Sequence, residues 1–411
     1  MKTLKKFLNK VIEKSLVLRK SARLVRYVAG KIKYAICTFS VKTEKNCVVF
    51  ASFNGKSFCD SPKAIYNYLK ESNEDLCFIW AFSEPQIYEF LKDERTEVVK
   101  FGSKQFFKYL KMSKYWVFNS MIYDFVKPNK EQVYVQCWHG TPLKKIGCDL
   151  KYTDNAMNSI SEVHKKYRND AQKFKYLIAP SDFAAEKFKT CWDLKALNRE
   201  DAVVTTGYPR NDFLKKFTSK DVLEIKKKLN IDLDKKVVLY APTWRDNEHN
   251  EKGYSFSLPI DFDELQKSLS DEYVVLFRAH YLVASVFDFE KYRGFVYNVS
   301  DYDDISELYI VSDLLVTDYS SVFFDYANLK RPVLFYMYDL EKYRDEIRGF
   351  YIGLEELPGK IIEDEKSLCR EIKNSLENFE YSEKYRLFNE KFNSLDDGNA
   401  SCRVAEIMLE E

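Results

Sequence analysis

Short apolar runs alternate with amphipathic segments along most of this chain. Apolar runs of roughly four to eight residues, bounded by polar turns, are typical of buried strands, whereas apolar residues spaced three and four apart are typical of helices. Their alternation predicts a mostly parallel sheet with helices on both faces. We predict strands in a first set at residues 47–51, 76–81, 98–99, 115–118, 133–138 and 176–179, and in a second set at 237–240, 273–278, 296–299, 314–317 and 333–336.

Two sets of strands imply two domains. The length of 411 residues agrees with this, because a domain usually takes about 100–200 residues. A Lys-rich segment that begins at residue 211 separates the sets and is expected to be mostly helical. The predicted fold class is α/β, with two Rossmann-like doubly wound domains whose strands end at a shared cleft. We expect a basic amphipathic segment at 1–45, the two domains at 46–210 and 211–380, and a C-terminal helical segment at 381–411.

The composition excludes several classes of protein. Apolar residues make up 45% and charged residues 31% of the chain, which are globular values and exclude a disordered or fibrous protein. The nine cysteines form no C-x-x-C pair, so neither a disulfide framework nor a zinc site is indicated, and a reducing compartment is expected. The four histidines show no H-x-x-x-H spacing, which argues against a histidine-rich metal centre.

The first 33 residues carry eleven Lys and Arg side chains against the single acid Glu13, whereas the rest of the chain is net acidic. Apolar residues recur there at helical spacing, from Leu4 to Ile32, so the segment predicts a basic amphipathic helix. Such a helix can lie on an anionic membrane surface, and no apolar run nears the ~18 residues that a spanning helix needs. We expect a peripheral protein at the cytoplasmic face of the membrane that binds no nucleic acid. A solvated helix packed on the body is the alternative.

The predicted strand 133–138 runs into a turn that holds an imidazole, a hydroxyl and two ammonium groups. Histidine is the side chain best suited to accept a proton near neutral pH, and a glycine lets the backbone approach a ligand closely. The turn therefore predicts chemistry on an anionic substrate at His139, Gly140, Thr141 and Lys144. The alternative is a structural histidine at a strand end.

Two predicted strands of the second domain lead to cations. The run 237–240 leads to Thr243 and Arg245, and the run 273–278 ends at Arg278, with His280 two residues later. A guanidinium group can bind phosphate oxygens in a fork geometry, and an imidazole can donate to a phosphate or a leaving group. We expect these side chains to bind substrate, with ordinary surface ion pairing as the alternative for each arginine.

A hydroxyl-rich turn follows the predicted strand 314–317. Thr317, Asp318, Ser320 and Ser321 lie where this strand passes into a predicted helix at 322–328. The N-terminus of a helix offers unpaired N–H groups, so the turn predicts a diphosphate site, with N-capping by a serine as the alternative. Arg210, in a turn near the domain joint, is a further candidate for facing the cleft.

Asp301 and Asp303 match a D-x-D pattern that could hold a metal ion. The same spacing occurs elsewhere in the chain, and here it leads directly into apolar residues at helical spacing, so helix capping is the preferred interpretation. We therefore expect a cleft that works without a tightly held metal or other cofactor.

Taken in order, six peptides resemble the CDP-glycerol glycerophosphotransferase family, the teichoic acid and capsule alditol-phosphate transferases with a GT-B fold. The resemblance covers roughly residues 50–359. The matching peptides are WHGTPLKK at 138–145, APSDF at 179–183, GYPRND at 207–212, APTWR at 241–245, RAH at 278–280, and DYDDISELYIVSDLLVTDYSSVFFDYANLKRPVLFY at 301–336.

The resemblance implies transfer of glycerol phosphate, or another alditol phosphate, from a CDP-alditol to a hydroxyl of a lipid-linked saccharide or polymer, with release of CMP. It makes His139 and His280 the catalytic residues, although Tyr281 stands where the family usually has proline. His139 would be the general base, while Arg245, Arg278 and the helix start near Ser320 and Ser321 would stabilise the phosphates. The domain at 46–210 would then face the acceptor and the domain at 211–380 would bind the CDP-alditol.

Two other functions share features of this sequence. A nucleotide-sugar glycosyltransferase would have the same two-domain architecture, and a catalytically silent membrane scaffold would keep the basic helix. The choice of donor separates the first from phosphate transfer, and the loss of biological role on His139→Ala would exclude the second. The donor alditol, glycerol or ribitol, and the role as primase or polymerase stay open at this point.

Overall fold

The computed structural model describes residues 16–151, 159–243, 249–250, 253–254, 260–279, 287–341 and 349–411. Its first sheet has seven strands in the order β3-β2-β1-β4-β5-β6-β7, and every neighbouring pair is parallel. The strands are β1 (Glu44–Ala51), β2 (Cys77–Phe82), β3 (Thr96–Lys100), β4 (Ser113–Phe118), β5 (Val133–Gln136), β6 (Tyr176–Ala179) and β7 (Val203–Thr205).

The second sheet has six parallel strands in the order β12-β11-β8-β13-β14-β15, and a small antiparallel hairpin pairs β9 with β10. These strands are β8 (Lys236–Ala241), β9 (His249–Asn250), β10 (Gly253–Tyr254), β11 (Tyr273–Phe277), β12 (Val296–Asn298), β13 (Leu314–Thr317), β14 (Val333–Tyr336) and β15 (Lys360–Ile362).

Helices connect the strands in both domains. The α-helices are α1 (Leu16–Thr38), α2 (Asp60–Ser72), α3 (Lys104–Met112), α4 (Ile160–Ala171), α5 (Asp182–Cys191), α6 (Phe213–Lys216), α7 (Ser219–Lys228), α8 (Phe262–Leu269), α9 (Ile305–Val311), α10 (Val322–Tyr326), α11 (Glu365–Glu377), α12 (Glu383–Phe392) and α13 (Ala400–Leu409). Short 3₁₀ helices occur at Pro85–Leu91, Gly147–Asp149, Glu200–Ala202, Pro209–Asn211, Glu290–Tyr292, Ala327–Leu329 and Leu354–Glu356.

The α/β class and the two facing doubly wound domains predicted from the sequence are confirmed. Each predicted strand overlaps an observed one, but the edge strands β7 and β15 and the short strands β9 and β10 were not predicted. The predicted helix at 322–328 is an α-helix only as far as Tyr326 and then continues as a 3₁₀ helix.

Apolar side chains cover both faces of each sheet. Phe50 and Trp80 are fully buried on one face of the first sheet and stack with ring centroids 5.2 Å apart. Val49 and Trp116 are buried on its other face. Because a parallel sheet with helices on both faces hides every strand residue, its strands read as continuous apolar runs, which is the pattern in the sequence.

The chain crosses between the domains again near its end. Helix α12 packs on the second domain, where Phe392 meets Phe324 with ring centroids 5.2 Å apart. Helix α13 returns to the first domain, where Val404 lies in the same core as Phe50. The helical segment expected at 381–411 is therefore divided between the two domains. Asp212, at the joint, accepts hydrogen bonds from the N–H groups that open α13, at 2.9 and 2.8 Å.

Helix α1 packs on the first domain through its small and aromatic residues. Gly30 lies against the Phe125 ring so closely that an added Cβ would be 2.4 Å from it, and Tyr34 meets Phe107 at 5.6 Å between ring centroids. The apolar residues predicted before residue 16 lie outside the described residues. Across the described part of the chain, no helix combines the length and apolar character needed to cross a bilayer.

The exposed side of α1 carries a row of apolar residues among basic ones. Six residues at helical spacing, here called the apolar stripe, are 44–94% exposed: Leu18, Val25, Val28, Ile32, Ile36 and Phe39. Soluble proteins rarely expose an apolar surface of this extent without a partner. The helix thus packs on the body, as the alternative interpretation expected, and still leaves an apolar surface open.

Candidate active site

A cavity of about 170 Å³ lies between the two domains. The residues that line it come after the strands in the chain: after β1, β5 and β7 of the first sheet and after β11, β12 and β13 of the second. The carboxyl ends of both sheets therefore meet there, which is where doubly wound folds bind ligands. Four predicted site residues line this cavity: His139, Arg210, Arg278 and Ser321.

The hydrogen bonding of His139 fixes which ring nitrogen can act as a base. Its Nδ1 lies 2.8 Å from the carbonyl oxygen of Asn119. A carbonyl oxygen can only accept, so Nδ1 must carry the proton and donate it. Nε2 is then left with its lone pair, which is the form that a general base needs.

The turn before His139 is held in a strained backbone conformation. Trp138 has φ of 47°, and Phe53, on the facing loop after β1, has φ of 48°. Bulky residues rarely adopt this left-handed region, and such strain is commonly found at functional sites. The two loops are joined because the backbone N–H of Phe53 donates to Asn119 Oδ1 at 2.7 Å. Asn119 thus holds the loop at Phe53 through its side chain and holds the His139 ring through its backbone carbonyl.

The surroundings of His139 lower the pKa of its imidazole below the ordinary value. Solvent in the cleft reaches the residue, but protein from both domains encloses it, and burial is the main cause of the shift. The Asn119 carbonyl and the charge of Asp60 act in the opposite direction, while Arg210 adds to the lowering. A lowered pKa keeps the ring neutral, and therefore basic, at neutral pH.

Gly140 brings the two domains into contact beside His139. A Cβ at this position would lie 2.7 Å from Ser321 Oγ, which is closer than van der Waals contact. From the sequence, we expected the backbone at Gly140 to approach a ligand closely, and the structure places Ser321 of the second domain against it. Ser321 precedes α10 but its side chain makes no capping hydrogen bond, so N-capping does not account for this serine.

Arg210 lines the cavity, but most of its guanidinium group is engaged within the protein. Nε and Nη2 each lie 3.1 Å from a carboxylate oxygen of Asp325, and the guanidinium stacks 3.7 Å from the centroid of the Tyr208 ring. The third nitrogen, Nη1, has no hydrogen bond in the described structure and lies 3.5 Å from Asp60 Oδ1. Burial alone would lower the pKa of Arg210, but Asp325 and Asp60 outweigh it and raise the pKa.

Two backbone carbonyl groups hold the guanidinium group of Arg278 in place. Its Nη1 donates to the carbonyl oxygens of Val299 and Tyr302 at 2.9 and 2.7 Å. No other nitrogen of the group has a hydrogen-bond partner among the described residues, and the residue lines the cavity. Burial lowers the pKa of Arg278, although a guanidinium group stays charged at neutral pH.

Several predicted site residues hold the backbone instead of lining the cavity. Thr317 is fully buried and donates to the Ala241 carbonyl at 2.8 Å, and Asp318 accepts from the N–H of Thr243 at 2.8 Å. These two bonds fix the loop after β8 to the turn after β13. Thr141 is also buried and is not among the described residues that line the cavity.

Two of the remaining predicted residues, Lys144 and Ser320, are not among the described residues that line the cavity. Lys144 forms a bridge with Phe350, where a short stretch of the first domain pairs with the second, and Ser320 is half-buried beside the lining residue Ser321. His280 and Arg245 lie outside the described residues.

Acidic residues and a lysine partner that were not predicted as site residues also lie at the cavity. Asp60 opens α2 and lines the cavity, as do Asp303 and Asp304. Lys63 of the first domain reaches across and lies 2.7 Å from Asp304 and 3.3 Å from Glu307. Two signals were available in the sequence: Asp60 follows a predicted strand, and Asp303 belongs to the D-x-D pattern. The contacts themselves join distant parts of the chain.

The residue that caps the helix here is Asp304, which directly follows the D-x-D motif. Helix α9 begins after Asp304, whose side chain accepts from the Ser306 N–H at 3.0 Å. Asp303 instead accepts a hydrogen bond from Tyr88 of the first domain at 3.1 Å. Within the described ranges, no three His, Cys, Asp or Glu side chains are grouped closely enough to hold a metal ion.

Comparisons with known proteins identify the family of this chain. The family described as CDP-Glycerol:Poly(glycerophosphate) glycerophosphotransferase has a sequence model that matches residues 33–410. The chain is 41% identical over 370 residues to the teichoic acid glycerol-phosphate transferase of Staphylococcus aureus, covering 89% of this chain and 93% of that protein. It is 36% identical over 400 residues to the teichoic acid poly(glycerol phosphate) polymerase of Bacillus spizizenii, covering 95% and 100%.

A solved structure extends the likeness to three dimensions. The wall teichoic acid polymerase TagF superposes with a TM-score of 0.84 at 36% identity, over 95% of this chain and 97% of that chain. The sequence match and the structural match both span the two domains and the cavity between them. This chain is therefore a member of the CDP-glycerol:poly(glycerophosphate) glycerophosphotransferase family.

Proposed function

We propose that this protein transfers glycerol phosphate from CDP-glycerol to a hydroxyl group of a lipid-linked saccharide or polymer in teichoic acid or capsule-type polymer synthesis, and releases CMP. The observation that carries the proposal is His139, whose Nδ1 is fixed by a carbonyl so that Nε2 keeps its lone pair in a cavity shared with Arg278 and Ser321. Family membership supplies the donor class, because CDP-glycerol is named in the family description.

His139 is the general base in this proposal. An alcohol is a weak nucleophile, so Nε2 takes the proton of the acceptor hydroxyl while its oxygen attacks the phosphorus that carries the glycerol. A bond forms between the acceptor oxygen and that phosphorus, and the bond to the departing CMP oxygen breaks in line with it. Positioned bases of this kind contribute about 10²–10⁴-fold to the rate.

Cations stabilise the charge that develops on the phosphates. Arg278 is held by two carbonyl oxygens, which orients the rest of its guanidinium group in the cavity. We propose that it binds the phosphates together with Ser321, and that His280 and Arg245 complete the set. Preorganised donors of this kind usually provide the largest part of the rate enhancement in such transfers.

Glycerol phosphate is favoured over ribitol phosphate as the transferred group. Four relatives named as a glycerol-phosphate transferase or as poly(glycerol phosphate) polymerases are 36–41% identical over 88–95% of this chain, and one named as a glycerol-phosphate primase is 32% identical over 66% of it. Those named for ribitol phosphate are 31–32% identical over about 70% of it. The graded identity supports a glycerol-sized donor site.

The test measures CMP release by the purified protein from CDP-glycerol, CDP-ribitol and UDP-glucose, with a membrane extract as acceptor. We expect release from CDP-glycerol that falls about 10²–10⁴-fold in His139→Ala. The matched control is His164→Ala, because that imidazole hydrogen-bonds the Leu150 carbonyl, does not line the cavity, and its loss should leave the rate unchanged. Release from UDP-glucose alone would contradict phosphate transfer, and an active His139→Ala would contradict the assigned base.

We also propose that the protein works as a peripheral protein on the anionic, cytoplasmic face of the membrane, with 1–45 as the contact segment. The exposed apolar stripe on α1 supports this, since it can insert among lipid headgroups while the surrounding basic residues meet anionic lipids. Val25→Glu/Val28→Glu should abolish sedimentation with anionic vesicles and leave CMP release with a soluble acceptor intact. Leu223→Glu/Leu233→Glu, at two comparably exposed apolar positions, is the control. Undiminished vesicle binding by the stripe variant would overturn the proposal.

A further inference from the structure

A groove of about 760 Å³ runs between the C-terminal end of α1 and one face of α3. It lies outside the candidate active site and shares none of its lining residues. Its volume falls within the usual range for sites that bind small organic ligands, about 300–1,000 Å³. The groove is also continuous with the apolar stripe, because Ile36 belongs to both.

The walls of the groove are fixed by contacts beneath them. Tyr34 packs on Phe107 under the groove, and Lys33 donates to the Gly102 carbonyl at 2.8 Å just before α3 begins. Beyond α1, Thr43 donates to the carbonyl of Lys111 at 3.4 Å. These bonds hold α1 and α3 at a set separation, so the groove is part of the folded structure.

The groove has a basic part and an apolar part. Lys104 and Lys108 are exposed and stand one helical turn apart on the same face of α3, so their ammonium groups can meet one anion. Among the residues that the structure describes, neither lysine forms an ion pair with a carboxylate. The apolar part is formed by Ile36, Val41 and Met112.

We propose that this groove is a specific site for one anionic phospholipid, with the phosphate between Lys104 and Lys108 and an acyl chain against Ile36, Val41 and Met112. A free phosphate would leave the apolar wall exposed, and a neutral lipid would leave both ammonium groups without a partner. The combination of charge and apolar surface therefore favours a lipid with a negative headgroup. The inference rests on the membrane contact proposed above, which brings such lipids to α1.

The test is a calorimetric titration of the full-length protein with short-chain phosphatidylglycerol below its critical micelle concentration. We expect saturable binding of one lipid per protein, and weaker binding of short-chain phosphatidylcholine and of glycerol phosphate. Lys104→Gln/Lys108→Gln should weaken binding by about 30-fold, because each lysine near an anionic lipid contributes about 1 kcal/mol. The control Lys220→Gln/Lys227→Gln removes two exposed charges from α7 and should change binding less than about twofold.

Each result bears on one of the two proposals. Absence of saturable binding, equal binding of the two lipids, or equal loss in the control would overturn the groove as a lipid site. If the wild type sediments with anionic vesicles but does not bind the short-chain lipid, the membrane contact stands and the groove proposal fails. If the Val25→Glu/Val28→Glu variant no longer sediments with anionic vesicles yet still binds the short-chain lipid, then the groove binds lipid independently of the insertion of the apolar stripe, as proposed.

Discussion

Replacing Asp325 with asparagine should destabilise the protein strongly while keeping the shape of the domain joint. The Asp325 carboxylate accepts Nε and Nη2 of Arg210 at 3.1 Å and Asn211 Nδ2 at 3.0 Å. Asparagine keeps the size of the side chain but removes the negative charge. Arg210 is only 5% exposed, so its positive charge would then face a single carboxylate, Asp60, at 3.5 Å.

The magnitude follows from the geometry. At an effective dielectric constant of about 20, two unit charges separated by the observed 3.1 Å attract each other by about 5 kcal/mol. Removal of one partner from a buried ion pair typically costs about 3–5 kcal/mol, because the other charge stays buried without compensation. Asp60 reduces this cost, so we expect a loss of about 3 kcal/mol.

Urea unfolding followed by circular dichroism measures the effect. With a slope of about 1–3 kcal/mol per molar, the midpoint should fall by about 1–3 M. The double variant Arg210→Met/Asp325→Leu should recover most of this loss, because apolar residues of similar volume can replace a buried ion pair with little cost. An Asp325→Asn protein that unfolds at the wild-type urea concentration would refute the reasoning.

The same double variant separates two roles of Arg210. If Arg210 serves only to hold the joint, CMP release should recover together with stability. If its Nη1 also binds substrate, as the sequence analysis expected, stability should recover while the rate stays low. The measurement is CMP release from CDP-glycerol under conditions where both variants are folded.

Three further predictions concern protonation and metal. Burial lowers the pKa of His139 below the ordinary histidine value of about 6.5, so wild-type CMP release should stay level as pH falls to that value and decline only below it. The His139→Ala variant should not show this decline at acidic pH. A decline that begins well above pH 7 in the wild type would contradict the assigned base. Burial raises the pKa of Asp170 to about 6, above its ordinary value, so the carboxyl's contribution to stability is lost as pH rises from about 4 to about 6, by up to about 3 kcal/mol. Urea midpoints at both ends of that pH range should show a smaller drop in Asp170→Asn than in the wild type, and equal drops would count against this assignment. Dialysis against EDTA should leave CMP release unchanged, and activity restored only by added Mg²⁺ would overturn the expectation from the sequence that the cleft works without a tightly held metal.

Local patterns in the sequence were enough to predict most of the elements. The strands β1, β2 and β5 are runs of apolar residues that end in polar turns, and such runs indicate strands wherever they lie in a fold. The short edge strands β7 and β15 were not predicted, and at most one of the three residues in each is buried. The position of His139 directly after a strand likewise placed it at the carboxyl edge of the sheet.

Contacts between distant residues could not be predicted in the same way. Asn119, whose carbonyl fixes the tautomer of His139, is 20 residues away along the chain, and Lys63 lies 241 residues from Asp304. A hydrogen bond or ion pair of this kind depends on how whole elements pack, and no local spacing encodes it. The roles of Thr317 and Asp318 changed for the same reason, since their partners lie on a neighbouring strand and the loop after it.

The sequence by itself therefore determined the α/β class, the two sheets and the chemical groups available at their carboxyl edges. Only the tertiary structure decided which of those groups share a cavity, which are neutralised by a buried partner, and which face of α1 stays exposed. The physical reason is that apolar periodicity acts through neighbouring residues, whereas burial, charge compensation and tautomer choice depend on atoms contributed by both domains.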